Sequence, residues 1–352
     1  PYVERGHHIE VQVMADRHGE VWAVGERECS IQRRHQKVIE EAPAPLVERI
    51  GGDLRERLYD AARRAVSAID YTGAGTVEFL ADESGRFYFL ETNTRLQVEH
   101  PVTELTTGTD LVAWQLRVAM GEHLDVAEPS TSGHSIEVRL YAENPAAGWQ
   151  PQSGTMHRID VDAATHFGPL DRPGVRVDAG IESGSEISTF YDPMLAKVIS
   201  WAPTRERAAA MLARTLSDAT LHGPVTNRDM LVNTLREQTF RSGRTDTGYL
   251  DEIGLDVLSA PLADDATVTL AAVAATMAEV AANRLGARVQ RTLPAGWRNM
   301  ASQYAQKTFL ADDDIDHVVR YQCGRGKSVE LPDVADTEVV TVGTEQVVLC
   351  HR

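Results

Sequence analysis

The stretch that decides the interpretation of this chain is Glu91-Thr92-Asn93-Thr94-Arg95-Leu96-Gln97-Val98-Glu99-His100-Pro101-Val102. Every second residue from Glu91 to Glu99 is charged or carries an amide. Because an extended backbone directs residues i, i+2 and i+4 to one face, the pattern predicts a strand with polar groups along one surface. The stretch therefore predicts a functional site rather than part of a hydrophobic core.

A β-hairpin is predicted immediately upstream. The segments Thr76–Leu80 and Phe87–Leu90 have the composition of two buried strands, joined by a turn within Asp82–Gly85. A two-residue turn that includes Ser84 would pair positions whose numbers sum to an odd value. That register places Glu78 on the same face as Glu91.

Two carboxylates facing each other destabilise a sheet unless a cation lies between them. The oxygen atoms of Glu78, Glu91 and Asn93 suit Mg²⁺ or Mn²⁺, which leave coordination positions open for phosphates. Arg95 can hold a small planar anion through two parallel hydrogen bonds, and Glu99 is the candidate general base. The alternative is a solvated edge strand, on which alternating polar residues are common.

Residues 91–104, Glu-Thr-Asn-Thr-Arg-Leu-Gln-Val-Glu-His-Pro-Val-Thr-Glu, closely resemble the signature of biotin carboxylases, members of the ATP-grasp superfamily. Three further segments match in the family's order and spacing: residues 32–45 (Gln-Arg-Arg-His-Gln-Lys, then Val-Ile-Glu-Glu-Ala-Pro-Ala-Pro), 73–79 and 134–139. The resemblance covers about residues 1–250. It implies an α+β fold.

The resemblance also implies a role for each matching residue. Glu99, Arg95 and Arg139 would be catalytic, with Arg139 binding biotin and stabilising its enolate. Bicarbonate would be bound by Lys37, Arg95, Gln97 and Val98, and the metal by Glu78, Glu91 and Asn93. The ATP site would contain Tyr2, Val3, His8, Gln32, His35, Glu78, Leu80 and Glu91.

Without the resemblance, simpler interpretations compete for three of these positions. His8 lies in an alternating strand pattern, where a histidine is more typical of the surface. The basic run around Lys37 is typical of a solvated face, and Arg139 lies on a predicted strand where it could face water.

The implied reaction uses ATP, Mg²⁺ or Mn²⁺ and bicarbonate. Attack of bicarbonate on the γ-phosphoryl group would give carboxyphosphate, and the carbon dioxide it releases would be captured by biotin on a carrier domain. This is the first half-reaction of a biotin-dependent acyl-CoA carboxylase, and the resemblance is to an α subunit of the acetyl- or propionyl-CoA type. Rival interpretations are a carbamoyl-phosphate or carboxylate-amine ligase, and a scaffold with a silent site.

Composition narrows the class of protein. The 352 residues include 52 acidic and 35 basic side chains, for a formal net charge of −17, which disfavours nucleic acid and anionic membrane partners. An acidic protein that handles ATP and bicarbonate must gather positive charge locally, and the candidates are Arg33, Arg34, Lys37, Arg95 and Arg139.

No apolar stretch is predicted to span a bilayer. Three separated cysteines indicate a reducing compartment, the cytoplasm or the mitochondrial matrix.

Three domains are predicted. The resemblance implies that residues 1–125 are the second lobe of an ATP-grasp domain and residues 126–250 a biotin carboxylase C-terminal domain. The pattern of residues 251–352 predicts a helix followed by a small antiparallel β-barrel. Helices are predicted at 53–69, 109–120, 204–219 and 264–285, and strands at 134–141, 154–161, 194–201, 303–310, 315–323 and 337–349.

Partners and missing segments are predicted from the same resemblance. Gly296-Trp-Arg-Asn299 resembles the entry to the domain of propionyl-CoA-type α subunits that docks the carboxyltransferase β subunit, and a homo- or hetero-oligomer is expected. The chain begins at Pro1, after the segment where the family carries an N-terminal domain and a glycine-rich flap, and it contains no Met-Lys-Met biotinylation motif. We therefore expect that these residues alone do not turn over ATP, and that the biotin carrier domain lies elsewhere.

Overall fold

The computed structural model describes residues 3–34, 36–289, 293, 303–310, 315–324 and 328–351. The chain divides into two compact units, residues 1–260 and 261–352. The strands of the first unit are β1 His7–Ala15, β2 Val21–Arg33, β3 Gln36–Ala42, β4 Gly73–Ala81, β5 Phe87–Asn93, β6 His134–Tyr141, β7 Glu143–Asn144, β8 Gln150–Pro151, β9 Gly154–Met156, β10 Arg158–Asp160, β11 Thr165–His166, β12 Gly174–Ala179, β13 Ser185–Ile187, β14 Met194–Ala202 and β15 Thr220–His222. Its helices are α1 Pro45–Ile50, α2 Leu54–Ser67, α3 His100–Thr107, α4 Leu111–Ala119, α5 Arg205–Asp218, α6 Arg228–Arg236, α7 Gln238–Arg241, α8 Tyr249–Ile253 and α9 Leu255–Leu258.

A nine-stranded sheet organises the first unit, in the order β11-β12-β14-β6-β3-β2-β1-β4-β5. Strand β6 pairs with β3 on one side and with β14 on the other, so the two predicted domains of this unit share one continuous sheet. The edge strand β5 comes next to β4, and the polar residues of both strands therefore lie at one border of the sheet.

Helix α2 covers one part of the sheet with an apolar stripe. Its buried residues recur every fourth position, Leu54, Leu58, Ala62 and Val66, as one face of a helix requires. They pack against a core that includes Ile9, Val11, Val77 and Phe79. The predicted end at Ile69 is wrong, because the helix stops at Ser67 and the Ile69 side chain is exposed.

The predicted hairpin is present with the expected pairing, but its turn differs from the predicted one. Glu78 and Glu91 are directly paired across β4 and β5. The loop, however, contains three residues, since Asp82 N–H donates to Arg86 O, and Ala81 pairs with Phe87. A register shift between Glu78 and Phe79 restores the odd sum and returns both glutamates to one face.

Two expectations around this hairpin are wrong. Strand β5 is not buried, because it is the edge strand, and Phe89 and Leu90 are 57% and 48% exposed. The extended segment does not continue to Glu99 either, since β5 ends at Asn93 and helix α3 begins at His100, with Pro101 in its first turn. The alternation of polar residues beyond Asn93 therefore does not reflect a strand.

Other local signals are confirmed. Thr204 caps α5, with its side chain accepting a hydrogen bond from Arg207 N. Strands β6 and β14 match their predicted ranges within one residue. The helix predicted at 109–120 spans Leu111–Ala119 as α4, and Asp110 caps it. The single strand predicted at 154–161 is divided into β9 and β10.

The second unit contains helix α10 Asp265–Gly286 and strands β16 Ala305–Leu310, β17 Asp316–Cys323, β18 Val329–Glu330, β19 Thr337–Val342 and β20 Val347–His351. Asp264 caps the helix, and Ala272 and Val273 pack with Val319 and Leu349 in one core cluster. Among the described residues the strands form a three-stranded and a two-stranded sheet, so a closed barrel remains a prediction. The motif Gly296–Asn299 lies outside the described residues.

Helix α10 also bears on the expected absence of a membrane-spanning stretch. Its 22 residues are long and apolar enough to cross a membrane by length and composition alone, which the sequence analysis did not recognise. Val273 and Met277 are nevertheless buried within the second unit. Only 22% of its most apolar 18-residue window is buried, and one helix that meets the length and composition criterion is weak evidence of a membrane span.

Candidate active site

A cavity of about 1170 Å³ opens over the sheet of the first unit, and it gathers most of the predicted site residues. Its lining includes all five candidates for local positive charge, Arg33, Arg34, Lys37, Arg95 and Arg139. It also includes the predicted ligands His8, Gln32, Glu78, Leu80, Glu91, Asn93, Gln97, Val98 and Glu99. Val3 does not line it, and Tyr2 and His35 lie outside the described residues.

Lys37 lies at the centre of this cavity. Its Nζ donates to Glu10 Oε2 at 2.5 Å, Glu99 Oε1 at 2.5 Å and Glu78 Oε1 at 3.3 Å. Burial alone would lower the pKa of Lys37, but the three glutamates outweigh it and raise that pKa. The lysine is therefore a fixed cation, and the interpretation of the basic run as a solvated face is wrong at this position.

Glu78 receives hydrogen bonds at both carboxylate oxygens. Oε1 accepts from Gln97 Nε2 at 2.7 Å and from Asn93 Nδ2 at 2.9 Å, and His8 Nε2 lies 2.7 Å from Oε2. Burial would raise the pKa of Glu78, but the bond to His8 and the charge of Lys37 lower it to about 2. The carboxylate is thus ionised at neutral pH. His8 is buried beside it, so the surface interpretation of this histidine is wrong.

Glu99 is not the free carboxylate that the sequence suggested. In addition to Lys37, it accepts a hydrogen bond from Arg139 Nη2 at 3.0 Å, through Oε2. Arg139 in turn donates from Nε to Glu40 Oε1 at 2.6 Å, and it is buried rather than facing water. We call Glu10, Lys37, Glu78, Glu99 and Arg139 the ion-pair cluster.

Glu91, Asn93 and Arg95 differ from this cluster, and we call them the outer group. Glu91 and Arg95 are exposed, and Asn93 is half-buried. Asn93 Nδ2 donates to Glu91 Oε1 at 3.3 Å, and the one hydrogen bond of Arg95 to a described residue is a long one, to the adjacent Leu96 O at 3.4 Å. The guanidinium is available to an anion that enters the cavity.

The donor set at this border suits a divalent cation. Glu78 and Glu91 face each other in register, and Asn93 Nδ2 donates to both carboxylates, so the Asn93 Oδ1 would meet a cation there only after the side-chain amide turns over. Hard oxygen atoms of this kind match Mg²⁺ or Mn²⁺. Glu78 also lies with His8 and Glu10 in a compact group of possible ligand atoms, but Arg27 and Lys37 already hold Glu10.

Two positioning residues were missed by the sequence analysis. Arg27 is completely buried beneath the cluster and donates to Glu10 Oε1 at 2.6 Å and to Gln97 Oε1 at 3.1 Å. Lys197 donates to Val98 O at 2.8 Å. Together they fix the loop that carries Gln97, Val98 and Glu99. The alternation of His8 and Glu10 along β1 could have predicted a polar strand face. The sequence contains no signal that places Arg27 next to Glu10 in the sheet.

Comparison with known proteins places this geometry in a family. A model of the carbamoyl-phosphate synthase L chain ATP-binding domain matches residues 1–127, and a model of the biotin carboxylase C-terminal domain matches residues 137–252. The methylcrotonoyl-CoA carboxylase α subunit of Rattus norvegicus is 42% identical over 259 residues, which cover 73% of this chain and 35% of that protein. Biotin carboxylase 2 of Bacillus subtilis is 44% identical over 252 residues, which cover 71% of this chain and 54% of that protein.

Solved structures give the same result. The biotin carboxylase domain of a thermophilic 2-oxoglutarate carboxylase, bound to bicarbonate, is 42% identical with a TM-score of 0.67, covering 73% of this chain and 56% of that one. The Hydrogenobacter thermophilus 2-oxoglutarate carboxylase domain, in complex with MgADP and bicarbonate, is 41% identical with a TM-score of 0.68, covering 75% and 55%. The chain thus spans about a third of the methylcrotonoyl-CoA carboxylase subunits and about half of the biotin carboxylases that it matches. Over residues 1–252, it belongs to the biotin carboxylase family of ATP-grasp proteins.

Proposed function

We propose that the whole protein carboxylates biotin, using ATP and bicarbonate. The observation that carries this proposal is the convergence of Lys37, Arg95 and Arg139 with Glu78 and Glu99 in one cavity. The amino-acid sequence that forms this cavity is 42% identical to that of a domain solved with bound bicarbonate. The cations suit two small anions, bicarbonate and the ATP phosphates, and the carboxylates suit a metal ion and a base.

Bicarbonate would be held by Arg95 in a bidentate pair, with Gln97 and the Val98 backbone as further partners. Lys37 lies close enough to Glu99 to contact the same anion. Both oxygens of Glu99 are bonded to cations, Oε1 to Lys37 and Oε2 to Arg139. An anion that takes over one of these donors would free a Glu99 oxygen to accept the bicarbonate proton.

The deprotonated bicarbonate would attack the γ-phosphorus of ATP, so that an O–P bond forms as the bond to ADP breaks. A divalent cation held by Glu78, Glu91 and Asn93 would neutralise phosphate charge when it is bound. His8, Gln32 and Leu80, which also line the cavity, would lie along the nucleotide. Carboxyphosphate would then separate into carbon dioxide and phosphate, and the phosphate would remove the ureido proton of biotin.

Arg139 would act in the last step. Removal of the ureido proton leaves negative charge on the biotin oxygen, and a preorganised guanidinium stabilises that charge as it develops. Glu40 and Glu99 hold Arg139 in place through Nε and Nη2. The biotin nitrogen would then attack carbon dioxide and form carboxybiotin.

We further propose that this reaction is the first half of an acyl-CoA carboxylase reaction in the cytoplasm or the mitochondrial matrix. The biotin carrier domain and a carboxyltransferase subunit would be the partners, in a homo- or hetero-oligomeric complex. Residues 251–352 would dock the carboxyltransferase. Because Asp251 and Leu255 line the cavity of the first unit, the test deletes only the second unit, residues 261–352. The deletion should abolish co-purification with that subunit and leave biotin carboxylation intact, and retained co-purification would contradict the docking role.

The experiment that tests the main proposal incubates the whole protein with Mg-ATP, labelled bicarbonate and biotin. Release of ADP that depends on bicarbonate, together with acid-labile label on biotin, is expected. ATP cleavage that requires ammonia or an amine instead would favour a carbamoyl-phosphate or carboxylate-amine ligase. The absence of any ATP cleavage would favour a scaffold with a silent site.

A further inference from the structure

Two buried carboxyl groups behind Arg139 are not used by the proposed reaction. Glu40 on β3 and Glu137 on β6 are directly paired across the sheet, and both are completely buried. Side chains paired in this way have their Cβ atoms about 5 Å apart and point to the same face. The two carboxyl groups are therefore neighbours in a site without water contact.

The hydrogen bonds around Glu40 and Glu137 are too few to stabilise both carboxyl groups in the ionised form. Glu40 Oε1 accepts from Arg139 Nε, but Glu40 Oε2 and both oxygens of Glu137 have no hydrogen-bond partner among the described residues. An unpaired buried carboxylate costs several kcal/mol, and it avoids that cost by taking up a proton.

The surrounding charges do not remove the need for a proton. The charged groups that act on Glu137 are Lys197 from β14, Glu40 from β3, Arg139 from β6 and Glu99 from the loop before α3. Lys197 is already engaged by Val98 O and lies 3.4 Å from Asp178, while Arg139 is engaged by Glu40 and Glu99. Burial is the main cause that raises the pKa of Glu137, and the two neighbouring glutamates raise it further. Burial also raises the pKa of Glu40, while the Arg139 guanidinium counteracts that rise.

We infer that Glu137 is a neutral carboxylic acid whose proton is shared with Glu40, so that the pair carries one negative charge behind Arg139. The Glu137 O–H would donate to Glu40 Oε2, which satisfies two of the three unpartnered atoms at once. Glu40 then keeps its bond to Arg139 Nε without a second negative charge beside the guanidinium. Both glutamates are positioning residues, and their effect on catalysis rests on the proposed role of Arg139.

The direct test is infrared spectroscopy of this chain at pH 7, which distinguishes the C=O stretch of a carboxylic acid from that of a carboxylate. The wild-type protein should show a protonated carboxyl that disappears in Glu137→Gln. The control is Glu41→Gln, since Glu41 follows Glu40 on β3 but contacts Arg205 and His134, whose interactions overcome its burial and lower its pKa to about 2. The control should leave the band intact. A band that is missing from the wild type, or unchanged by Glu137→Gln, would overturn the inference.

Unfolding provides a second readout that does not need activity. A glutamate whose pKa is raised by folding lowers the free energy of unfolding of the protein as the pH rises above the unfolded-state pKa of that glutamate, about 4.3. Glu137→Gln should therefore unfold at higher urea than the wild type, by a margin that grows between about pH 5 and pH 8. Glu41→Gln should unfold at lower urea throughout that range. A Glu137→Gln variant that is destabilised like the control would contradict the shared proton.

The pH profile of the whole protein links the pair to Arg139. Carboxybiotin formation should slow at alkaline pH as the pair loses its proton, and Glu137→Gln should remove that decline. A decline that persists unchanged in the variant would overturn the link, even if the infrared band behaves as expected. If the whole protein does not carboxylate biotin, the proposed function fails while the infrared and unfolding results still decide the shared proton.

Discussion

The ion-pair cluster and the outer group lie in the same cavity, but they are held very differently. Lys37, Glu99 and Arg139 each make two or more charged contacts, and Glu78 combines its contact with Lys37 with hydrogen bonds from Asn93 and Gln97. Glu91 and Arg95 are exposed, and within the described part of the chain Arg95 makes a single long bond, to a backbone oxygen. The difference suggests that groups acting on developing charge are fixed before substrate arrives, whereas groups that meet the metal and the anion await their ligands.

The largest effect is expected for Glu99→Gln in the whole protein. The amide cannot accept the bicarbonate proton, so carboxybiotin formation should fall by roughly 10²- to 10⁴-fold, the range that general base catalysis supplies. Nucleotide affinity should change little, because Glu99 contacts Lys37 and Arg139 rather than the outer group. Unchanged turnover would remove Glu99 from the mechanism.

A comparison of Lys37→Met with Arg95→Met tests the two groups through stability. Loss of Lys37 leaves Glu10, Glu78 and Glu99 without their shared cation, and breaking buried pairs in this way costs about 3–5 kcal/mol. Arg95→Met should stay within about 0.5 kcal/mol of the wild type, since the side chain is exposed. Urea unfolding followed by tryptophan fluorescence measures the difference, because four of the five tryptophans belong to residues 1–260. Equal costs would end the distinction between the groups.

Arg139→Ala addresses the catalytic side of the cluster. The variant should slow carboxyl transfer to biotin by about 10²- to 10³-fold, the scale of losing one donor to a developing oxyanion. Nucleotide binding, measured by calorimetry with Mg-ADP, should be spared because Arg139 lies beside Glu99 and Glu40. A nucleotide-binding defect as large as the kinetic defect would contradict the assigned role.

The smallest effect is expected for Glu91→Gln in the outer group. Removing one charge from the proposed metal site should weaken Mg-nucleotide binding by roughly tenfold, within the range that residues around a metal control. Stability should not change, because Glu91 is exposed and bonds only the half-buried Asn93 among the contacts described. Titration of the whole protein with Mg-ADP and with metal-free ADP separates the contribution of the metal from that of the nucleotide. An equal loss for both nucleotides would show that Glu91 does not act through the metal.

The sequence predicted those parts of the site that depend on local pattern. Strand alternation predicted the pairing of Glu78 with Glu91, whereas the gathering of the five basic residues in one cavity was expected only from the family resemblance. The first was reached through an incorrect turn, because a three-residue loop and a register shift compensate for each other. Strand alternation also extended the strand past Asn93, since it cannot distinguish a polar loop before a proline-started helix from a polar strand.

Long-range partners were the part that the sequence did not predict. Arg27 meets Gln97, and Arg139 meets Glu40, over sequence separations of 70 and 99 residues. Such contacts depend on the order of strands in the sheet, and β6 reaches its place between β3 and β14 only in the folded chain. Burial of Glu40 and Glu137 follows from the same topology.

The most direct test of the central claim is a crystal structure of the whole protein with Mg-ADP and bicarbonate. The account predicts bicarbonate within hydrogen-bonding distance of the Arg95 guanidinium and next to Lys37 and Glu99, with a cation between Glu78 and Glu91. A bicarbonate bound away from Arg95, or a cation that contacts neither glutamate, would contradict it.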